Sequence, residues 1–173
     1  MDMDKYKSIF EKYDISTSYF TLDGVNTYGR LVDIHDGDTC KIILPVMDQY
    51  YKFNVRLNGI DTCEINSDNP ENKNKSLQAR DKICQMIQEM QEMQGKGSEK
   101  IIFKSQKEIK EYLRSIVCIV FVKCYGFDKY GRLLADVFID NKSISEILIN
   151  EKLAYAYDGG KKLSETQQLE IFK

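Results

Sequence analysis

A chain of 173 residues, 42% hydrophobic and 30% charged, is long enough to bury one core without disulfide or metal staples, and one domain accounts for it. Its composition excludes a disordered class, and its longest apolar run, residues 116–122, is far short of the roughly 20 residues of a membrane helix. A net charge of −2 with a pI near 5.6 excludes the broad basic surface of a nucleic-acid packager, so any polyanion must be held by a local cluster.

Five cysteines, at positions 40, 63, 84, 118 and 124, are an odd number without a CxxC pair. They predict free thiols in a reducing compartment. The N-terminus, MDMDKYKSIFEKYD, has no apolar secretory core, so the sequence predicts an intracellular protein with no membrane contact. Nothing in the pattern calls for an oligomer, and a monomer is expected.

Residues 1–20 read as a helical extension, in which Tyr6, Ile9, Phe10 and Tyr13 form a short amphipathic stripe suited to packing. Residues 26–35 read as a first strand, ended by Asp36-Gly37, whose pairing predicts a type I′ hairpin. A second strand over 38–46, limited by Pro45, and a third over 50–58 complete a meander. A polar loop over 65–74 leads to Ser76 as the expected cap of a helix running to about Gln94, stopped by Gly95 and Gly97. An insertion near 95–115 holds a second helix, opened by the capping box Ser105 to Glu108. Residues 116–124 read as a strand apolar on both faces, and residues 133–139 as a fifth strand. A third helix follows around Ile144, Ile147 and Leu148, and residues 163–173 read as a frayed helix. These elements predict an α+β, mainly β fold: a small five-stranded closed barrel with about three helices.

The chemistry concentrates in VRLNGIDTCE, residues 55–64. Alternation through residues 50–58 puts Phe53, Val55 and Leu57 on the core face and Arg56 on the other. Gly59 breaks the period, after which Asp61 and Glu64 converge if the chain turns. Should the barrel bring Asp38 alongside, three acids face two arginines, Arg56 and Arg132, and the net negative pocket calls for a hard divalent cation. Carboxylates and a carbonyl suit calcium or magnesium rather than zinc, for which the lone His35 and scattered cysteines offer no set. Paired guanidinium forks match a phosphoryl group, and a carboxylate free of metal, Glu64, could activate a water.

Three motifs in order, DGDT (36–39), VRLNGIDTCE (55–64) and DKYGR (128–132), resemble the staphylococcal nuclease (thermonuclease) family, over about residues 26–157. The resemblance implies an OB-fold barrel in a domain spanning 21–173. It also implies calcium held by Asp38, Asp61 and the Thr62 carbonyl, with Arg56 and Arg132 on the scissile phosphate and Glu64 as general base. The implied reaction is calcium-dependent endonucleolytic hydrolysis of DNA and RNA that leaves 3′-phosphates, with Tyr130 and Tyr155 or Tyr157 lining the nucleotide pocket. Cys63 stands where the family usually has proline, and a thiol at that position predicts redox-sensitive activity. The rival expectation is a catalytically silent OB-fold module binding nucleic acid or protein.

Overall fold

In the computed structural model, the alternating first third of the chain folds into three antiparallel strands, β1 (Asn26–Ile34), β2 (Thr39–Val46) and β3 (Gln49–Leu57). The structure describes residues 3–96 and 100–173. The stop expected at Gly97 and the first two residues of the expected 1–20 extension therefore lie outside the described residues.

A two-residue strand, β4 (Ile60–Asp61), follows β3, and a long helix, α2 (Pro70–Met93), and a shorter one, α3 (Gln106–Ser115), come next. Strand β5 (Ile119–Phe127) then pairs antiparallel with β1, and β6 (Leu133–Ile139) pairs antiparallel with β5. Closure comes from a parallel ladder between β6 and β3, through Val55↔Leu133, Arg56↔Leu134 and Leu57↔Ala135. The closed order β1-β2-β3-β6-β5 is the five-stranded OB-type barrel expected from the sequence, and β7 (Lys142–Ser143) adds a short strand beside β6. Inward side chains such as Leu31, Ile42, Val55, Val122 and Leu133 fill the barrel, and α2 covers one end of it with Ile83, Cys84 and Ile87.

Helix α4 (Ile144–Asn150) leads to a second two-residue strand, β8 (Tyr155–Ala156), which pairs with β4, and the chain ends in α5 (Glu165–Ile171). The tail is not frayed. Ser164 and Gln167 form a reciprocal capping box, and Phe172 is buried. With α1 (Met3–Phe10), five helices are described where about three were expected. The stripe on α1 does not pack on the barrel: it buries no residue, and Tyr6 stacks on Phe10 instead, with ring centroids 6.5 Å apart.

Three local expectations are corrected. Helix α2 begins six residues before Ser76, because Asn69 accepts from the Glu71 N–H at 2.9 Å and Pro70 supplies a preset φ at the first helical position. Residues 116–124 are not buried on both faces, since Val117 and Ile119 are exposed while Cys118, Val120 and Val122 point inward.

The third correction concerns Asp36-Gly37, where neither residue has positive φ. The left-handed pairs sit instead at Met47-Asp48 and Asp140-Asn141. Gly37 is required for space: a Cβ there would lie 2.5 Å from the Ala79 Cβ and 2.8 Å from the Thr62 Cγ2. Gly37→Ala is therefore expected to cost about 1–3 kcal/mol, as overpacking does, and to push the Thr62 loop away from Asp38. A urea melt beside a binding or cleavage assay checks both effects.

Candidate active site

The ladder pairing Thr39 with Arg56 brings the start of β2 against the end of β3, and the Leu57 N–H donates to the Asp38 carbonyl at 2.8 Å. Gly59, at φ 75°, turns the chain sharply enough for β4 to return Asp61 beneath Arg56. The guanidinium thus lies between two strands' acids. Its Nη1 ion-pairs with Asp38 Oδ2, and its Nη2 donates to Asp61 Oδ1 at 2.6 Å and to the Ile60 carbonyl at 3.1 Å. All three side chains are buried, Asp61 completely. Burial alone would lower the Arg56 pKa, but Asp38 and Asp61 more than offset it and hold the group above its usual value.

Each acid is further pinned. Asp38 Oδ2 accepts the Thr62 N–H at 3.1 Å and its hydroxyl at 3.2 Å, while Oδ1 accepts the Thr39 hydroxyl at 2.9 Å. Asp61 Oδ2 accepts the Tyr155 hydroxyl at 2.6 Å. Burial, and then this bond, push the Tyr155 phenol up to about 12. Lys162 bridges outward, 2.9 Å from Asp61 Oδ1 and 2.8 Å from Glu64 Oε1. Its burial opposes the charge, but Glu64 and Asp61 raise its pKa above the ordinary lysine value. Glu64 is the exposed acid of the group, at 63%.

Asp36 is a fourth acid, accepting the Asp38 N–H at 3.2 Å. Burial, then the charge of Asp38, push its carboxyl up to about 6. An acid raised in the folded state contributes stability that is present at low pH and lost as pH climbs from 3.8 through about 6. Asp36→Asn is therefore expected to stabilise the fold at pH 8 by about 1–3 kcal/mol and to flatten the stability profile between those values, as thermal melts across pH would show.

Arg132 lies in a second cluster. Its Nε donates to Asp128 Oδ2 at 2.7 Å and its N–H to Oδ1 at 2.9 Å, in a turn made possible by Gly131 at φ 77°. These bonds and that from the Tyr130 N–H outweigh burial and hold Asp128 below its usual value. The Arg132 guanidinium carbon sits 5.5 Å from the centre of the exposed Tyr130 ring. The β3–β6 ladder sets this turn beside Val55 and Arg56. Arg132 is engaged with Asp128 rather than with Arg56 or Glu64.

The residues named from sequence thus fall into two neighbouring groups, Asp38, Arg56, Asp61, Thr62, Glu64 and Tyr155 in one, Tyr130 and Arg132 in the other. Tyr155 is buried with Cys63 and Phe172, and the Tyr157 hydroxyl donates to the Gly160 carbonyl at 2.7 Å. The Cys63 thiol is pushed up chiefly by burial while it accepts from Asn72 Nδ2 at 3.3 Å, which disfavours thiolate chemistry there. Sequence reasoning missed Asp36, Asp128 and Lys162. The two aspartates stand inside motifs already noted, whereas Lys162 is placed by the β4–β8 pairing and carries no local signal.

Among the described residues no three His, Cys, Asp or Glu side chains group as a metal cage. Asp38 and Asp61 fall below that count, yet carboxylates, with the Thr62 carbonyl that the resemblance names, are oxygen donors of the kind a hard cation takes when water completes its shell. By donor type alone such a set suits calcium or magnesium, and in this structure both carboxylates are engaged by Arg56.

No helix among the described residues is long and apolar enough to cross a membrane. None of the curated proteins compared matches the chain. The family described as staphylococcal nuclease homologue matches residues 54–172. That stretch holds Arg56, Asp61, Thr62, Glu64, Tyr130, Arg132, Tyr155 and Tyr157, and the β2–β3 ladder adds Asp38 from outside it. With the match covering more than half of its length and the barrel closed as expected, the chain belongs to the family of staphylococcal nuclease homologues.

Proposed function

We propose that this protein is a calcium-dependent nuclease that hydrolyses phosphodiester bonds of DNA and RNA on the 5′-oxygen side, leaving 3′-phosphates. The observation that carries the reading is the buried guanidinium of Arg56 held between Asp38 and Asp61, with Glu64 exposed three residues further on.

In this reading Asp38, Asp61 and the Thr62 carbonyl hold the calcium ion, which would supply Lewis-acid polarisation of a phosphoryl oxygen. The remaining work belongs to the chain's own groups. Arg56 is fixed by two acids that engage both of its Nη atoms, so a phosphate takes those donors in exchange for the ion pairs and meets a guanidinium already held in place. Arg132 turns from Asp128 toward the same phosphate and balances charge that develops on its oxygens. Glu64, steered by Lys162, takes the proton of the attacking water at a carboxylate oxygen. Tyr130 offers an exposed ring to a base, while the buried Tyr155 acts through its hydroxyl on Asp61.

Cleavage of labelled single-stranded DNA in calcium, lost in chelator, tests the reading. Intact DNA in calcium, magnesium and manganese would remove it and leave the nucleic-acid-binding module.

A further inference from the structure

Away from the acid cluster, a groove of about 610 Å³ runs between α3 and the outer face of β1–β3. It is lined by Arg30, Lys41, Lys52, Lys107, Lys110 and Arg114, against two acids, Asp33 and Glu111. In a chain of net charge −2, this is a concentrated local excess of cations.

The groove is built, not a scatter of surface lysines. Asp33, 3% exposed, stands at the bulge in β1 and accepts from Gln106 Nε2 at 3.2 Å. It also ion-pairs with Lys41 at 3.3 Å and Lys110 at 3.4 Å. One buried acid thus ties α3 to the barrel and fixes an ammonium group on each wall. Arg30 is anchored by donating from Nη2 to the Ile116 carbonyl at 3.2 Å. Among the described residues, Lys52 and Arg114 make no ion pair, and Lys107 has only a solvent-exposed contact with Glu111 at 3.9 Å.

Its direction is set by the sheet. The β2–β3 ladder pairs Thr39 with Arg56, Lys41 with Asn54, Ile43 with Lys52 and Pro45 with Tyr50. Alternate residues share a face, so Arg56, Asn54, Lys52 and Tyr50 form one line about 20 Å long. It starts at the guanidinium of the candidate active site and ends at a tyrosine 77% exposed. Lys52 on this line and Lys41 beside Asn54 on the neighbouring strand lead from Arg56 to an exposed aromatic face, an arrangement that holds a single strand, backbone on charge and base on ring. The wall made by α3 admits a strand rather than a flat bilayer.

We propose that this groove is an exosite for the single-stranded nucleic acid flanking the scissile phosphate, with the backbone on Lys41, Lys52, Lys107 and Arg114 and a base on Tyr50. It rests on the nuclease reading for its substrate, but its binding can be measured without cleavage.

The test compares the full wild-type chain with the triple variant Lys52→Glu, Lys107→Glu, Arg114→Glu. In chelator, fluorescence anisotropy follows a labelled oligothymidylate of about 20 nucleotides across salt concentrations. The variant is expected to bind at least about tenfold more weakly, with a log–log salt slope shallower by about 2 and an unchanged melting temperature. Tyr50→Ala is expected to weaken binding about tenfold with the slope unchanged. In calcium, the variant is expected to show a raised KM for the long strand and wild-type turnover of a thymidine dinucleotide, which is too short to reach the groove. Equal affinity and equal slope in wild type and variant would overturn the exosite. So would loss of binding to phosphatidylserine vesicles with the oligothymidylate unaffected. If the wild type cleaves neither substrate, the nuclease reading fails, and the anisotropy still decides whether the groove holds a strand.

Discussion

Glu64→Gln is expected to lower the cleavage rate by about 10²–10⁴-fold, the usual contribution of a positioned general base, while the melting temperature stays within the range of a neutral surface change. The two halves of this result follow from one feature. Glu64 is 63% exposed and, among the described residues, ion-pairs only with Lys162, itself 46% exposed, and pairs of that kind contribute little to stability. Glutamine keeps the size and a hydrogen-bond acceptor but cannot take a proton from water. A purely structural Glu64 would show the opposite signature, with a small change in stability and no change in rate. Parallel melts and single-turnover cleavage assays separate the two.

Arg56→Leu is expected to cost about 3–5 kcal/mol, because it leaves the buried Asp38 and Asp61 without their shared counter-ion. Asp61 has no exposed surface, and its remaining partners are Tyr155 and the partly exposed Lys162. Activity is expected to disappear with the same substitution. Arg56→Lys distinguishes the contributions: the charge remains and most of the stability with it, but one ammonium cannot reproduce two parallel donors on Asp38 and Asp61 or on a phosphate. Denaturant unfolding of both variants, beside their cleavage rates, reads the two effects apart. Leucine and lysine variants equally stable would mean that the acids do not depend on Arg56.

Much of the site was legible because it lies in strands whose period was legible. Strict alternation around Arg56 placed it off the core face, and Gly59 marked the turn that returns Asp61. Both placements need only local rules. The five-stranded barrel class also followed from counting strands, although the strand order and the parallel β3–β6 closure rest on long-range pairing that no local pattern encodes. The turn at Asp36-Gly37 was misread because the dipeptide signals positive φ, whereas Gly37 is fixed by the approach of α2 and the Thr62 loop. The helix start at Pro70 was available in the sequence, since Asn69-Pro70 is a cap followed by a first-turn proline, but the polar residues after it masked the signal. Lys162 was out of reach, because it enters only when β8 pairs with β4 across nearly a hundred residues.

Incubating the purified, reduced chain with 5′-labelled single-stranded DNA, in calcium and in chelator, tests the central claim most directly. Shortened products that end in 3′-phosphate, formed in calcium and absent in chelator, are the predicted result. Undegraded DNA in calcium, from protein that melts cooperatively and binds the same strand, would contradict it.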